Sequence, residues 1–241
     1  MKLLPRLFFA ALTLFAAAQA APAPLEPHHR LAAAGGSQPV AAITLDACGG
    51  AFDVQLIKLL VAQQVPATIF VTKKWLDRNP AGTAALLAHP ELFDLQDHGT
   101  AHIPAVIGRK VYGIAGEPDI AHVRSEVTGA AQAIALLTGH APHYYRGATA
   151  LYDADALQAI EAMGYAIAGF SVNADAGATL SQASIVARLR GVKTGDVIIA
   201  HMNKPAGATA EAFAVALPEL VARGFRFVKL SDSQLLPVSI L

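Results

Sequence analysis

Two histidines stand four positions apart in the run His98-Gly99-Thr100-Ala101-His102. On a helical turn that spacing puts both imidazoles on one face, Cβ atoms roughly 5–6 Å apart, where two side chains can chelate one metal ion. A third histidine, His201, closes the apolar run Val197-Ile198-Ile199-Ala200, a place where a lone histidine is ordinarily a packing residue. Charged groups occupy comparable places. Asp46 ends Thr44-Leu45-Asp46, Asp97 directly precedes His98, Arg146 follows Tyr144-Tyr145, and Asp175 sits in Asn173-Ala174-Asp175-Ala176-Gly177. Singly, Arg146 reads as a rim ion-pair residue and Asp175 as a turn former. Jointly, imidazoles, carboxylates and a guanidinium gathered at the ends of apolar runs are the equipment of a hydrolytic site. Cys48 lies between Asp46-Ala47 and Gly49-Gly50. It is either a small hydrophobe or a nucleophile that a histidine activates.

Such residues act together only if their strands end in one place. From residue 40 onward, short β-type runs alternate with longer helical patterns, which predicts βα units around a parallel sheet. The expected strands span 40–45, 68–72, 93–97, 144–146, 166–172, 197–201 and 226–229. Helical periodicity covers 54–64, 120–138, 153–163, 185–190 and 211–223, and Gly or Pro stops most of these runs. The expected fold is a single distorted (β/α) barrel of the α/β class with about seven parallel strands. In such folds sites form at the carboxyl ends of strands, where the residues above fall. Residues 103–118 read as a loop-like insertion with several glycines that rims the site.

The chain has 241 residues. Lys2 and Arg6, the apolar run 7–18 and Ala18-Gln19-Ala20 have the form of a secretory signal with a small-x-small cleavage site, so residues 1–20 are set apart from the fold. The apolar run is too short to span a bilayer. The protein is therefore expected to be exported, periplasmic or secreted, and to keep no membrane anchor after cleavage. Residues 21–38, rich in Ala, Pro and Gly, read as a flexible lead-in to one domain over 39–241. With 18 basic and 18 acidic residues and no like-charge run, the chain lacks the electrostatic footprint of a nucleic-acid binder. The partner is expected to be neutral or small, and nothing in the sequence speaks to oligomeric state. The single cysteine cannot pair within the chain, so stability rests on the core, in keeping with 54% hydrophobic content.

In order along residues 40–241, these motifs resemble the polysaccharide deacetylases, the NodB-homology group of carbohydrate esterases. Thr44-Leu45-Asp46 is similar to the family's opening Thr-Phe-Asp-Asp strand end, and His98 and His102 match its His-Ser/Thr-x-x-His metal motif, with Gly99 in place of Ser/Thr. Arg146-Gly147-Ala148 resembles its Arg-Pro-Pro motif, Asp175 its fourth motif, and Ile198-Ile199-Ala200-His201 its late strand. Asp-Ala-Cys-Gly-Gly, Asn173 to Gly177 and His201-Met202-Asn203-Lys204-Pro205 are similar to a variant branch.

The resemblance implies a NodB-type barrel that removes acetyl groups from an amino-sugar polysaccharide, such as peptidoglycan, a chitin-like chain or an exopolysaccharide. It implies a divalent cation, zinc first with cobalt or nickel next, held by His98 and His102. The family's third ligand falls at Ala47, which leaves that place to Asp46, Asp97 or a solvent molecule. It further implies Asp46 as general base held ionised by Arg146, and His201 as general acid oriented by Asp175. Tyr145 and Asn203 are the expected substrate-binding residues. Two other functions fit the same residues: a Cys48-dependent hydrolase or O-acetyl esterase, and a glycan-binding member of the fold with impaired catalysis.

Overall fold

Along residues 40–47 the run Val-Ala-Ala-Ile-Thr-Leu carries no charge before Asp46, as befits a strand covered on both faces. The computed structural model describes residues 22–32 and 37–238, and the signal expected over 1–20 lies outside them. Its strands are β1 (Val40–Ala47), β2 (Ala67–Val71), β3 (Phe93–Asp97), β4 (Tyr144–Tyr145), β5 (Ala166–Ile167), β6 (Val172–Asn173), β7 (Val197–His201) and β8 (Arg226–Phe227). They pair in parallel in the order β5-β4-β3-β2-β1-β7-β6, and β8 joins the first two residues of β1. The sheet curls into a distorted barrel, and all eight residues of its central strand β1 are buried.

Strand alternation divides the core in two. Ile43, Leu45, Ala47, Ile69, Leu95 and Ile198 point outward and pack under the helices with Trp75 and Phe213. Ala42, Phe70, Tyr144, Val197 and Ile199 point inward and fill the barrel. Each fully buried Leu, Ile or Phe contributes about 1.5–3 kcal/mol relative to exposure.

The covering helices are α1 (Val54–Ala62), α2 (Lys73–Arg78), α3 (Pro80–Leu87), α4 (Ile120–Thr138), α5 (Ala154–Glu161), α6 (Gln182–Arg190) and α7 (Thr209–Ala222). Helices α1, α2, α4 and α6 start at capping side chains. Asp53 accepts from the N–H groups of Gln55 and Leu56, and Asp119 from that of His122. Helix α4 ends at Gly139 in the left-handed conformation. None of the described helices is long and apolar enough to cross a membrane.

Two features differ from the sequence reading. Helices α2 and α3 are additional, being short and without an apolar stripe long enough to detect. The strand expected over 166–172 is two strands at opposite edges of the sheet, β5 and β6. Between them residues 168–171 cross the open seam of the barrel, and the described part of the lead-in packs on that crossing. Gly169 donates to His29 Nδ1, and a Cβ at position 169 would fall 2.1 Å from the carbonyl oxygen of Pro27.

The lead-in is thus a strap. Leu25 bridges Tyr152, which bridges Ala105 on its other side, and Arg109 donates to the Pro22 carbonyl while contacting Asp153. Downstream, His29–Leu31 pairs antiparallel with Leu235–Pro237.

Candidate active site

The alternation that builds the core also aims the site residues. Asp46 shares the inward face of β1 with Ala42 and Thr44, His201 shares that of β7 with Val197 and Ile199, and Arg146 follows β4 with the parity of inward-facing Tyr144. All three reach the carboxyl end of the barrel. Arg146 is fully buried there, its guanidinium carbon 4.2 Å from the Phe70 ring centroid. Its Nη1 donates to Asp46 Oδ1 at 2.9 Å and Thr44 Oγ1 at 2.8 Å, its Nε to the Ala168 carbonyl at 3.0 Å and its Nη2 to that of Gly169 at 3.4 Å. Burial by itself raises the Asp46 carboxyl, but the charges of Arg146, His98 and His201 outweigh it and hold the group below its usual range.

A second pair faces this one. His201 Nδ1 lies 2.8 Å from Asp175 Oδ1, and Asp175 Oδ2 accepts from the His201 backbone N–H and the Thr209 hydroxyl. A fully buried carboxylate with these donors fixes the tautomer, leaving His201 Nε2 turned to the cavity. Burial opposes charge on this imidazole, yet hydrogen bonding to Asp175 and Cys48 and the Asp175 charge carry its pKa well above the ordinary histidine value.

The histidine pair is brought together by a loop rather than by the expected helical turn. Residues 98–102 are non-helical, with Gly99 at φ +87° and His102 at φ +67°, and the two ring centroids lie 5.0 Å apart. His98 Nδ1 lies 2.5 Å from the Arg146 carbonyl oxygen, which can only accept, so this nitrogen carries a hydrogen and Nε2 is the ring atom left to face Cys48 and Asp46. Cys48 Sγ lies 3.5 Å from that Nε2. Ligand atoms of Cys48, His98 and His102 all lie within 4.8 Å of one another.

The donor set fits a divalent ion. Thiolate and imidazole are the ligands zinc prefers, three protein donors leave a position open, and a backbone acceptor on the second nitrogen is the usual support of a ligating histidine. The Cys48 thiol is prepared for the role. Burial raises it, but hydrogen bonds to His102, His201 and His98 and the charge of His98 bring it well below its usual value.

Parity also corrects two expectations. Asp97 is fully buried on the outward face of β3, where its Oδ1 accepts from Gly99 N–H at 2.7 Å, so it cannot reach the site as a ligand. Tyr145, expected to bind substrate, points outward from β4 into the cluster with Val123, Val127 and Tyr152 and is fully buried. Ala47 packs in the outward core, and the next residue, Cys48, is the candidate donor that lies with His98 and His102. Asp46 Oδ2 stands 3.7 Å from His98 Nε2, beside the donor cluster. The alternation of each strand already carried these assignments in the sequence.

The site opens into a cavity of about 630 Å³. Beyond Asp46, Cys48 and the three histidines its walls include Glu26 of the strap, Tyr112 and Ile114 of a hairpin, Phe170, Asn203 and Lys204. Asn203, an expected substrate-binding residue, lines this cavity. The hairpin, Lys110–Val111 against Ile114–Ala115, belongs to the insertion over 103–118 that was expected to rim the site. Glu26 and Lys204 were not foreseen, since no local pattern marks a strap or a loop end as a pocket wall.

The family model described as polysaccharide deacetylase matches residues 33–168. The chain belongs to the polysaccharide deacetylase family. That match covers Asp46, Cys48, both loop histidines and Arg146, while Asp175 and His201 lie beyond it. Solved structures with the same fold include a family 4 carbohydrate esterase from Streptomyces lividans, with 21% identity, TM-score 0.65, and coverage of 78% of this chain and 91% of that one. A peptidoglycan deacetylase from Bacillus subtilis has 18% identity, TM-score 0.65, and coverage of 81% and 90%. A family 4 pseudoenzyme from Bacillus anthracis has 14% identity and TM-score 0.67, and the match covers 81% of this polysaccharide deacetylase-family chain and 65% of the pseudoenzyme's length. No curated protein matches the chain in sequence.

Proposed function

We propose that this chain is an exported hydrolase that removes acetyl groups from an amino-sugar polysaccharide, with a divalent cation, zinc first and cobalt or nickel next, held by Cys48, His98 and His102. The observation that carries the reading is the convergence of the Arg146–Asp46 pair, the Asp175–His201 pair and the three donors on one cavity. A cation bound there supplies Lewis acidity to a carbonyl oxygen and lowers the pKa of a water.

The protein's own groups then divide the proton work. Asp46, with Oδ1 held by Arg146, offers Oδ2 to take a proton from the attacking water. His201, charged through Asp175, gives a proton from Nε2 to the amine as it leaves. The solved peptidoglycan deacetylases of the same fold support an N-acetyl sugar as substrate, and the residue pattern of the signal segment supports export.

A second reading has one observation in its favour: Cys48 Sγ lies 3.5 Å from His98 Nε2 on the wall of the cavity that the Asp175-backed His201 also lines. In that reading the Cys48 thiolate adds to the acetyl carbonyl, the amine leaves with the His201 proton, and water hydrolyses the thioester.

The experiment measures metal in the purified mature protein and in His98→Ala/His102→Ala, with acetate release from N-acetylglucosamine oligomers before and after chelation. About one equivalent of metal, lost in the double variant, and chelator-sensitive acetate release that zinc restores are expected. Acetate release indifferent to chelation would favour the thiol hydrolase. Glycan binding with no acetate release under added zinc, cobalt or nickel would overturn both in favour of a binding protein.

A further inference from the structure

Residues 98–103 make few of the backbone bonds that hold a turn of helix, so something else must fix the two histidines. The N–H groups at alternate positions are taken by two buried carboxylates. Gly99 donates to Asp97 Oδ1 at 2.7 Å, Ala101 to both Glu126 oxygens at 2.9 and 3.0 Å, and Ile103 to Glu126 Oε1 at 3.0 Å. The Thr100 hydroxyl donates to the Glu126 carbonyl at 2.7 Å. From the other side, the carbonyls of Gly99 and Thr100 accept from the backbone N–H groups of Lys73 and Lys74 at the start of α2.

Glu126 is 6% exposed on α4, and among the described residues it has no ion-pair partner. An unpaired buried carboxylate is costly, and its charge is offset here by loop N–H groups. The close approach is built into the sequence. A Cβ at Gly99 would fall 2.6 Å from Glu126 Oε1, and one at Gly129, a turn further along α4, 2.4 Å from the Thr100 hydroxyl. This accounts for glycine at 99, where the family motif carries Ser or Thr.

We infer that Glu126 is a positioning residue, which by gripping the backbone of residues 101–103 sets the separation and aim of His98 and His102, with Asp97 steadying the start of the same loop. The inference rests on the metal-site reading above and extends it to a helix that touches neither substrate nor ion. Without Glu126 the loop keeps its anchors on α2 and at the Arg146 carbonyl, but residues 101–103 lose their buried acceptors and His102 leaves its left-handed conformation. Glu126→Gln keeps one acceptor oxygen and sets an amide N–H₂ against a loop N–H; Glu126→Ala removes both acceptors.

The test is calorimetric titration of the metal-free protein with zinc, alongside its melting temperature with and without zinc. Wild type, Glu126→Gln, Glu126→Ala and a distant core variant, Leu189→Ala, are compared. Affinity is expected to fall in the order wild type, Gln, Ala, by about 10- to 100-fold overall, the range typical of groups supporting metal ligands. Zinc-induced stabilisation falls in parallel, whereas Leu189→Ala lowers the metal-free melting temperature and leaves affinity unchanged. If Glu126→Gln lowers the metal-free melting temperature and binds zinc as tightly as wild type, Glu126 is only structural and the inference is overturned. If wild type itself binds no zinc, cobalt or nickel, the metal-site reading fails and this inference with it.

Discussion

His98 donates its Nδ1 hydrogen to the backbone carbonyl of Arg146 at 2.5 Å, while the side chain of the same arginine grips Asp46 at 2.9 Å. One residue therefore orients the imidazole proposed to hold the metal through its backbone and the proposed general base through its guanidinium. Arg146→Met keeps the backbone contact but strands a buried carboxylate, and is expected to destabilise the protein by about 3–5 kcal/mol in urea denaturation. Arg146→Lys is expected to recover only part, since one ammonium cannot reach Asp46, Thr44, Ala168 and Gly169 together. A Met variant as stable as wild type would refute the coupling.

His201 and His98 are expected to separate under mutation. His201→Ala lowers kcat by about 10²–10⁴, the usual worth of a positioned acid, and keeps the bound metal. His98→Ala loses both. Metal analysis after dialysis, paired with acetate release, checks this; equal metal loss in the two variants would make His201 a ligand.

Cys48 discriminates between the two chemistries. If it is a ligand, Cys48→Asp restores the carboxylate that the family carries one position earlier, and both metal binding and acetate release persist while Cys48→Ala loses both. If it is the nucleophile, Cys48→Asp is as inactive as Cys48→Ala. Affinity for zinc against manganese in the Asp variant gives an independent readout, because replacing thiolate by carboxylate weakens the preference for the softer ion.

Alkaline stability follows from two buried phenols. Burial raises the pKa of Tyr145 and Tyr152 above the ordinary tyrosine value. A group raised on folding contributes stability that is complete below its unfolded pKa and is lost as pH rises above it, since the unfolded chain then binds fewer protons. Stability is expected to fall above about pH 10, by about 1.4 kcal/mol per pH unit for each such tyrosine. Denaturant unfolding from pH 9 to 12 should show a shallower fall in Tyr152→Phe; an unchanged slope would count against this account.

Most of the barrel was legible because its strands are short apolar runs punctuated by Gly and Pro, and the carboxyl-end residues followed from that. Residues 166–172 misled because Ser171 is the one polar side chain in an otherwise apolar stretch, and the crossing shows only in the sheet order and in the close approach of Pro27 to Gly169. Asp97 and Tyr145 were misassigned although alternation from Leu95 and Tyr144 already turned them outward; the strand face carried more information than proximity to His98 or Arg146. The loop geometry of His98 and His102 was hidden for a different reason. It depends on Glu126, which is distant in sequence and looks like any other charge on a helix.

The strap has a consequence for assembly order. Glu26, a wall of the cavity, is carried by a segment whose continuation, His29–Leu31, pairs with Leu235–Pro237 from the opposite end of the described chain. Contacts so far apart in sequence carry a larger loop-closure cost than local ones. The mouth of the cavity is thus joined from both ends of the described chain, and the earliest described residues complete it only once the last described strand is in place.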